Sequence, residues 1–143
     1  MESRKEITIK AKLECLEQAI NFVNGLLQEK GVSVDVRQRI ELALEEMLVN
    51  ISSYAYPEGI GEAKVGISFP KKDIVQLELW DRGTPYDPTK KPDPDLGIPL
   101  RERKIGGLGI YMTKIVMDEM NYEYADGYNH VTMLKDLKQV KPE

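Results

Sequence analysis

The sequence predicts an α+β domain: a two-layer sandwich of a largely antiparallel mixed sheet with three helices on one face. Apolar residues recur at helical spacing in three stretches and at alternate positions in five others, which separates helices from strands. Their order is strand, helix, helix, strand, strand, a long irregular segment, helix, strand, strand. Adjacent strands joined by short turns pair antiparallel, so this order favours an antiparallel sheet. A chain of 143 residues suits one domain over 1–143 with a core of ordinary size.

The first strand is "EITIKAK", residues 6–12, where apolar and polar side chains alternate. Residues 13–30 then turn to helical spacing through Leu16, Ile20, Val23 and Leu27, and Gly31 closes that helix. Asp35 followed three residues later by Gln38 reads as a capping box, so a second helix is expected over 36–56, stopped by Pro57. "AKVGISF" and "IVQLELW" are two strands joined through residues 70–73. Residues 82–105 follow, holding five of the eight prolines and many charges. Connections longer than about 12 to 15 residues in compact domains are usually functional, and this one is expected to be a lid. Residues 108–120 resume helical spacing through Leu108, Tyr111, Met112, Ile115 and Val116, and "NYEYA" and "HVTMLKDL" form a last hairpin around Asp126 and Gly127.

Composition excludes several classes. A net charge of -4 gives no basic footprint for nucleic acid, and no apolar run approaches the roughly 20 residues of a membrane span. The lone Cys15 cannot form an intramolecular disulfide and the N-terminus lacks a signal-peptide core, so a reducing, cytoplasmic setting is expected. Metal sites built from His and Cys need several ligands, so single Cys15 and His130 are expected to be structural.

Three stretches carry candidate chemistry. "EEMLVN" places Glu46 and Asn50 four residues apart, on one helix face at the edge of the apolar stripe. They can reach one ligand, or simply mark an amphipathic boundary. In "WDRGTPYD", alternation puts Asp81 on the face of Val75, Leu77 and Leu79, so a carboxylate ends an apolar row. An ionised Asp only accepts, which suits a ligand amino group such as that of adenine, while Gly83 lets backbone come close; the alternative is a turn cap. "GGLGIYMTK" sets Gly106, Gly107 and Gly109 at a helix start, where free amides bind anions and glycine admits phosphate oxygens; the alternative is a hinge. It is not a Walker A loop, since Gly109 is followed by Ile110 and Tyr111 instead of Lys and Ser or Thr.

The set Glu-x-x-x-Asn on a helix, Asp-x-Gly after a strand and a Gly-rich helix start after a long loop resembles the histidine-kinase-like ATPase superfamily. Within it the chain is most similar to the anti-sigma-factor serine kinase group, across "ITIKAKLECLEQAINFVNGLL", "ELALEEMLVNISSYAYP", "DRGTPYDP" and "GGLGIYMTKIVMDE". The resemblance implies ATP and Mg²⁺ held between helices and sheet under a lid over 82–105. Asn50 would hold Mg²⁺, Glu46 would be the base, Asp81 would take the adenine amino group, and Gly83 would permit its approach. Gly106, Gly107, Leu108 and Gly109 would form the phosphate loop. Arg101, Arg103 and Lys104 are candidates for the terminal phosphate. Many relatives carry a histidine four residues after the Asn, where this chain has Tyr54.

The implied activity is a serine/threonine protein kinase that phosphorylates an anti-sigma-factor antagonist and sequesters a sigma factor, as a homodimer, without direct nucleic-acid or membrane contact. The alternative is a non-catalytic ATP-dependent switch controlling a partner such as a phosphatase.

Overall fold

A computed structural model describes residues 4–90 and 107–138. The elements run β1 (Lys5–Lys10), α1 (Leu16–Glu29), α2 (Val34–Tyr54), β2 (Glu62–Lys71), β3 (Ile74–Asp81), α3 (Gly107–Val116), β4 (Glu119–Ala125) and β5 (Tyr128–Asp136), with short 3₁₀ turns at Leu13–Cys15 and Pro88–Lys90. The five strands lie in the order β1-β2-β3-β5-β4, and every pairing is antiparallel, so the expected mixed character is absent among the described strands.

Strand alternation divides the sheet into two faces. Ile9, Ala63, Val65, Ile67, Val75, Leu77, Leu79, Val131 and Met133 point one way and join Leu16, Val23, Leu27, Ile40, Leu44, Met47 and Ile110 in one core. The opposite face carries Glu78, Trp80 and His130, with no helix over it among the described residues. His130 stacks on Trp80 at 4.6 Å, and its Nε2 lies 2.8 Å from Glu78 Oε2. Cys15 is half-buried against the core.

Helix ends differ from the sequence reading where local hydrogen bonds decide them. The cap of α2 is Ser33, extended at φ -61° and ψ 154°, whose hydroxyl accepts from Val36 N at 3.4 Å. Asp35 lies instead inside the first turn, where its charge opposes the helix dipole's positive end. At the far end α2 stops at Tyr54, because Tyr56 is committed elsewhere: its hydroxyl donates to Glu62 O at 2.6 Å and accepts from Arg82 N at 2.8 Å. Helix α3 ends at Val116, before the expected 120, because pairing of Glu119 with Leu134 and Met120 with Met133 claims that backbone for β4.

Two turns match their glycines. Asp126 at φ 57° and Gly127 at φ 82° make the tight β4-β5 turn. Gly31, at φ 76°, closes α1: its N–H donates to Gln28 O at 3.0 Å and Val32 N–H donates to Leu27 O at 3.1 Å, a Schellman closure. A side chain at Gly31 would meet nothing within 4 Å. Gly31→Ala should therefore cost only backbone strain, about 1 to 2 kcal/mol, read by urea unfolding. An unchanged midpoint would mean that this turn does not need the left-handed conformation.

Candidate nucleotide site

Helix α2 presents Met47, Asn50, Ile51, Tyr54 and Ala55 to one cavity, the i, i+3, i+4, i+7, i+8 pattern of a single helix face. The facing wall is Leu79 and Asp81 from β3 with Asn129 and Val131 from β5, and Thr84, Pro85, Tyr86 and Pro88 form the rim. The cavity encloses about 400 Å³, within the usual range of roughly 300 to 1,000 Å³ for small-molecule pockets.

Asp81 is 7% exposed at the end of its apolar row, as alternation predicts. Its Oδ1 accepts from Gly83 N at 2.9 Å and from Asn129 Nδ2 at 2.9 Å. Both readings of Asp81 therefore meet in one side chain, since Oδ1 caps the turn while Oδ2 takes no hydrogen bond from any described residue and is left for the cavity. Burial pushes the carboxyl above its ordinary value, and the bonds from Asn129 and Gly83 offset part of that rise.

Asn129 had no part in the sequence reading. It is 5% exposed, and Nδ2 donates also to Thr84 O at 3.1 Å and Gly83 O at 3.3 Å. Its Oδ1 accepts from Tyr86 N at 3.1 Å and from the Tyr122 hydroxyl. Every neighbour of Nδ2 is an acceptor and every neighbour of Oδ1 a donor, so one amide orientation satisfies the whole set. The β3-β5 register, in which Asp81 faces Asn129, makes this possible.

The glycines serve close packing. A Cβ on Gly83 would collide with the carbonyl oxygen and Cβ of Ala55, so what Gly83 admits is the C-terminus of α2, clamped by Thr84 N donating to Ala55 O at 2.8 Å. A Cβ on Gly109 would meet the carboxylate end of Glu46, so the two residues face each other where α3 lies on α2. The fully buried Thr113 helps to hold the two helices, its hydroxyl donating to Gly109 O at 3.0 Å and lying 3.4 Å from Ala43 O.

Asn50 and Asp81 thus line one cavity, Gly83 sits behind it, bonded to Asp81 and packed on Ala55, and Glu46 is half-buried beside α3 and does not line the cavity. Gly107 and Leu108 open α3. Gly106, Arg101, Arg103, Lys104 and the lid beyond residue 90 lie outside the described residues. Among the described residues no group of three or more His, Cys, Asp or Glu could hold a metal. No described helix is long and apolar enough to cross a membrane.

Residues 9–135 match the Histidine kinase-like ATPase domain family. The chain belongs to that family. It is 32% identical over 101 residues to the serine/threonine-protein kinase BtrW of Bordetella bronchiseptica, covering 71% of each chain. It is 27% identical over 127 residues to the serine-protein kinase RsbW of Halalkalibacterium halodurans, covering 85% of this chain and 76% of that one. The RsbU and RsbW domains of Rv1364c from Mycobacterium tuberculosis superpose with a TM-score of 0.66 at 16% identity over 94% of this chain, which supports the fold alone; the chain spans 32% of that solved chain. Within the family the chain falls in the anti-sigma-factor kinase group, whose enzyme class is serine/threonine protein kinase and whose fold uses ATP.

A carboxylate buried this far should cost stability. With its folded value raised above 3.8, Asp81 binds a proton more tightly in the folded chain. Its contribution is therefore present at acid pH and lost as pH rises through that folded value. Asn at this position keeps Oδ1 for Gly83 and Asn129 but does not titrate. Asp81→Asn should be the more stable protein in urea at neutral pH, with the advantage shrinking toward acid. A pH-independent difference, or a less stable variant at neutral pH, would contradict this.

Proposed function

We propose that this chain binds ATP in the α2-β3-β5 cavity and transfers its terminal phosphoryl group to a serine hydroxyl of an anti-sigma-factor antagonist, while also sequestering a sigma factor. The observation that carries the reading is Asp81, whose Oδ2 takes no hydrogen bond from any described residue, in a cavity walled by Met47, Ile51, Leu79 and Val131. A planar base with one amino group fits this chemistry: apolar walls take the ring and a fixed carboxylate oxygen accepts from the amino group.

With the base at Asp81, the phosphates would extend along α2 toward Asn50 and the start of α3. Asn50 would offer one oxygen to Mg²⁺, which favours oxygen donors and retains waters, and the bound ion would neutralise charge on the phosphates. The amides opening α3 at Gly107 and Leu108 would receive phosphate oxygens. Residues 82–105 would close over the nucleotide, with Arg103 or Lys104 near the terminal phosphate. Glu46 would take the serine proton as the hydroxyl oxygen bonds to phosphorus and the bond to the diphosphate breaks. We infer a homodimer from the family resemblance and a cytoplasmic setting from the single cysteine.

One observation favours the second reading, an ATP-dependent switch without catalysis: Glu46 is packed against Gly109 and away from the cavity lining. In that reading Glu46 braces α3 and ATP controls partner binding, including that of a phosphatase.

Glu46→Gln separates the two. As the base, Glu46 should leave ATP affinity within about threefold on replacement, while transfer of labelled phosphate to serine in proteins of the source cell falls at least about a hundredfold. Glu45, exposed on the neighbouring face, is the control and should tolerate Gln. Negligible wild-type transfer, with Glu46→Gln changing only partner affinity, would establish the switch instead.

A further inference from the structure

The strand face opposite the helices holds a second cavity of about 560 Å³, lined by Thr8, Tyr56, Lys64, Trp80, Arg82 and Tyr128. We propose that it is a binding site for a small organic oxyanion, a phosphoryl or carboxylate group carried on a flat apolar body, separate from the nucleotide cavity. The two sites share a turn but look in opposite directions, because Asp81 and Arg82 are consecutive on strand-like backbone and project to opposite faces.

Three observations define the ligand. The first is charge. Arg82 makes no ion pair with any described carboxylate; its guanidinium lies over the Tyr128 ring at 4.6 Å. An arginine stacked in this way keeps its N–H edge free for two parallel bonds to a carboxylate or phosphoryl group. Lys64 adds a second cation, 4.4 Å over the Trp80 ring and ion-paired with Glu6 Oε1 at 3.7 Å. Against these stands the Glu62 carboxylate at the rim, so the lining is positive by one charge.

The second is shape. Three aromatic side chains, Tyr56, Trp80 and Tyr128, border the same space, which suits a flat apolar body. The third is that the walls are held before any ligand arrives. The Tyr56 hydroxyl is bonded at both its donor and acceptor sides, to Glu62 O and Arg82 N. Its ring occupies the space a side chain at Gly61 would need. On the far side Trp80 rests on His130 at 4.6 Å and packs over Gly66, where an added Cβ would lie 3.1 Å from the indole. Walls fixed this way need no ordering on binding, which lowers the cost of holding a small ligand.

Trp80 is the only tryptophan in the chain and its side chain lines this cavity and not the nucleotide cavity, so its fluorescence reports on this site directly. Titrating the full chain with phenyl phosphate should change Trp80 emission saturably, with inorganic phosphate and phenol each weaker. Benzoate in place of phenyl phosphate distinguishes a carboxylate from a phosphoryl ligand, the tighter of the two naming the natural group. Arg82→Gln keeps the backbone N–H that Tyr56 accepts and should weaken phenyl phosphate at least about fivefold without altering stability. Saturating adenosine, which carries no anion, should leave the titration unchanged. The proposal is overturned by an absence of saturation, by phenol binding as tightly as phenyl phosphate, or by an Arg82→Gln titration equal to wild type. It is equally overturned by displacement with adenosine, or by a signal that depends on protein concentration, which would mean that a second copy closes this face.

Discussion

The hydrogen bond from Asn129 Nδ2 to Asp81 Oδ1, 2.9 Å long across the β3-β5 pair, is the interaction on which the site depends. A carboxylate at 7% exposure is costly unless donors surround it, and among the described residues Gly83 N and Asn129 Nδ2 do so. Because both donors use Oδ1, Oδ2 is left without a hydrogen bond from any described residue. The same Asn129 amide holds Thr84 O and Tyr86 N, so the rim of the cavity is hung from the residue that orients its floor.

The helices are fitted to this frame by missing side chains. Gly83 brings the end of α2 into backbone contact with the turn after β3, and Gly109 brings α3 onto Glu46. The first contact is backbone to backbone and needs the missing Cβ, the second is with the end of a side chain, and both join a helix to the element that carries the site. Asn50, one turn below Tyr54 on α2, inherits its position from the first of these contacts, as does the apolar wall of Met47 and Ile51. The sheet's other face has a different chemistry, with Trp80 at its centre and cations over its ring. Consecutive residues Asp81 and Arg82 therefore serve two unlike surfaces.

Much of this was legible in the sequence wherever the signal is local. Alternation placed Asp81 on the core face of β3, helical spacing placed Asn50 beside Met47 and Ile51, and Gly31 and the Asp126-Gly127 pair marked their turns. The missing parts depend on contacts between distant segments. Asn129 lies 48 residues from Asp81, and nothing local reveals that β5 pairs with β3 in the register that sets them face to face. The glycines at 83 and 109 were read as making room for ligand, because from sequence a bare Cα does not say which neighbour needs the space. The cap of α2 was misassigned because Ser33 and Asp35 both have capping chemistry, and only the extended backbone at Ser33 distinguishes them.

The central claim is that Asp81 Oδ2 accepts a hydrogen bond from the amino group of a purine. Adenosine and inosine differ along one edge, where adenosine has the amino donor beside an acceptor N1 and inosine a carbonyl acceptor beside an N1–H, and neither carries phosphate that could bind elsewhere. Calorimetric titration of the full chain with each nucleoside tests the claim without any substitution. Because a hydrogen bond to a charged group contributes roughly 1.5 to 3 kcal/mol, adenosine should bind at least about tenfold more tightly than inosine. Equal affinity, or a preference for inosine, would contradict the account.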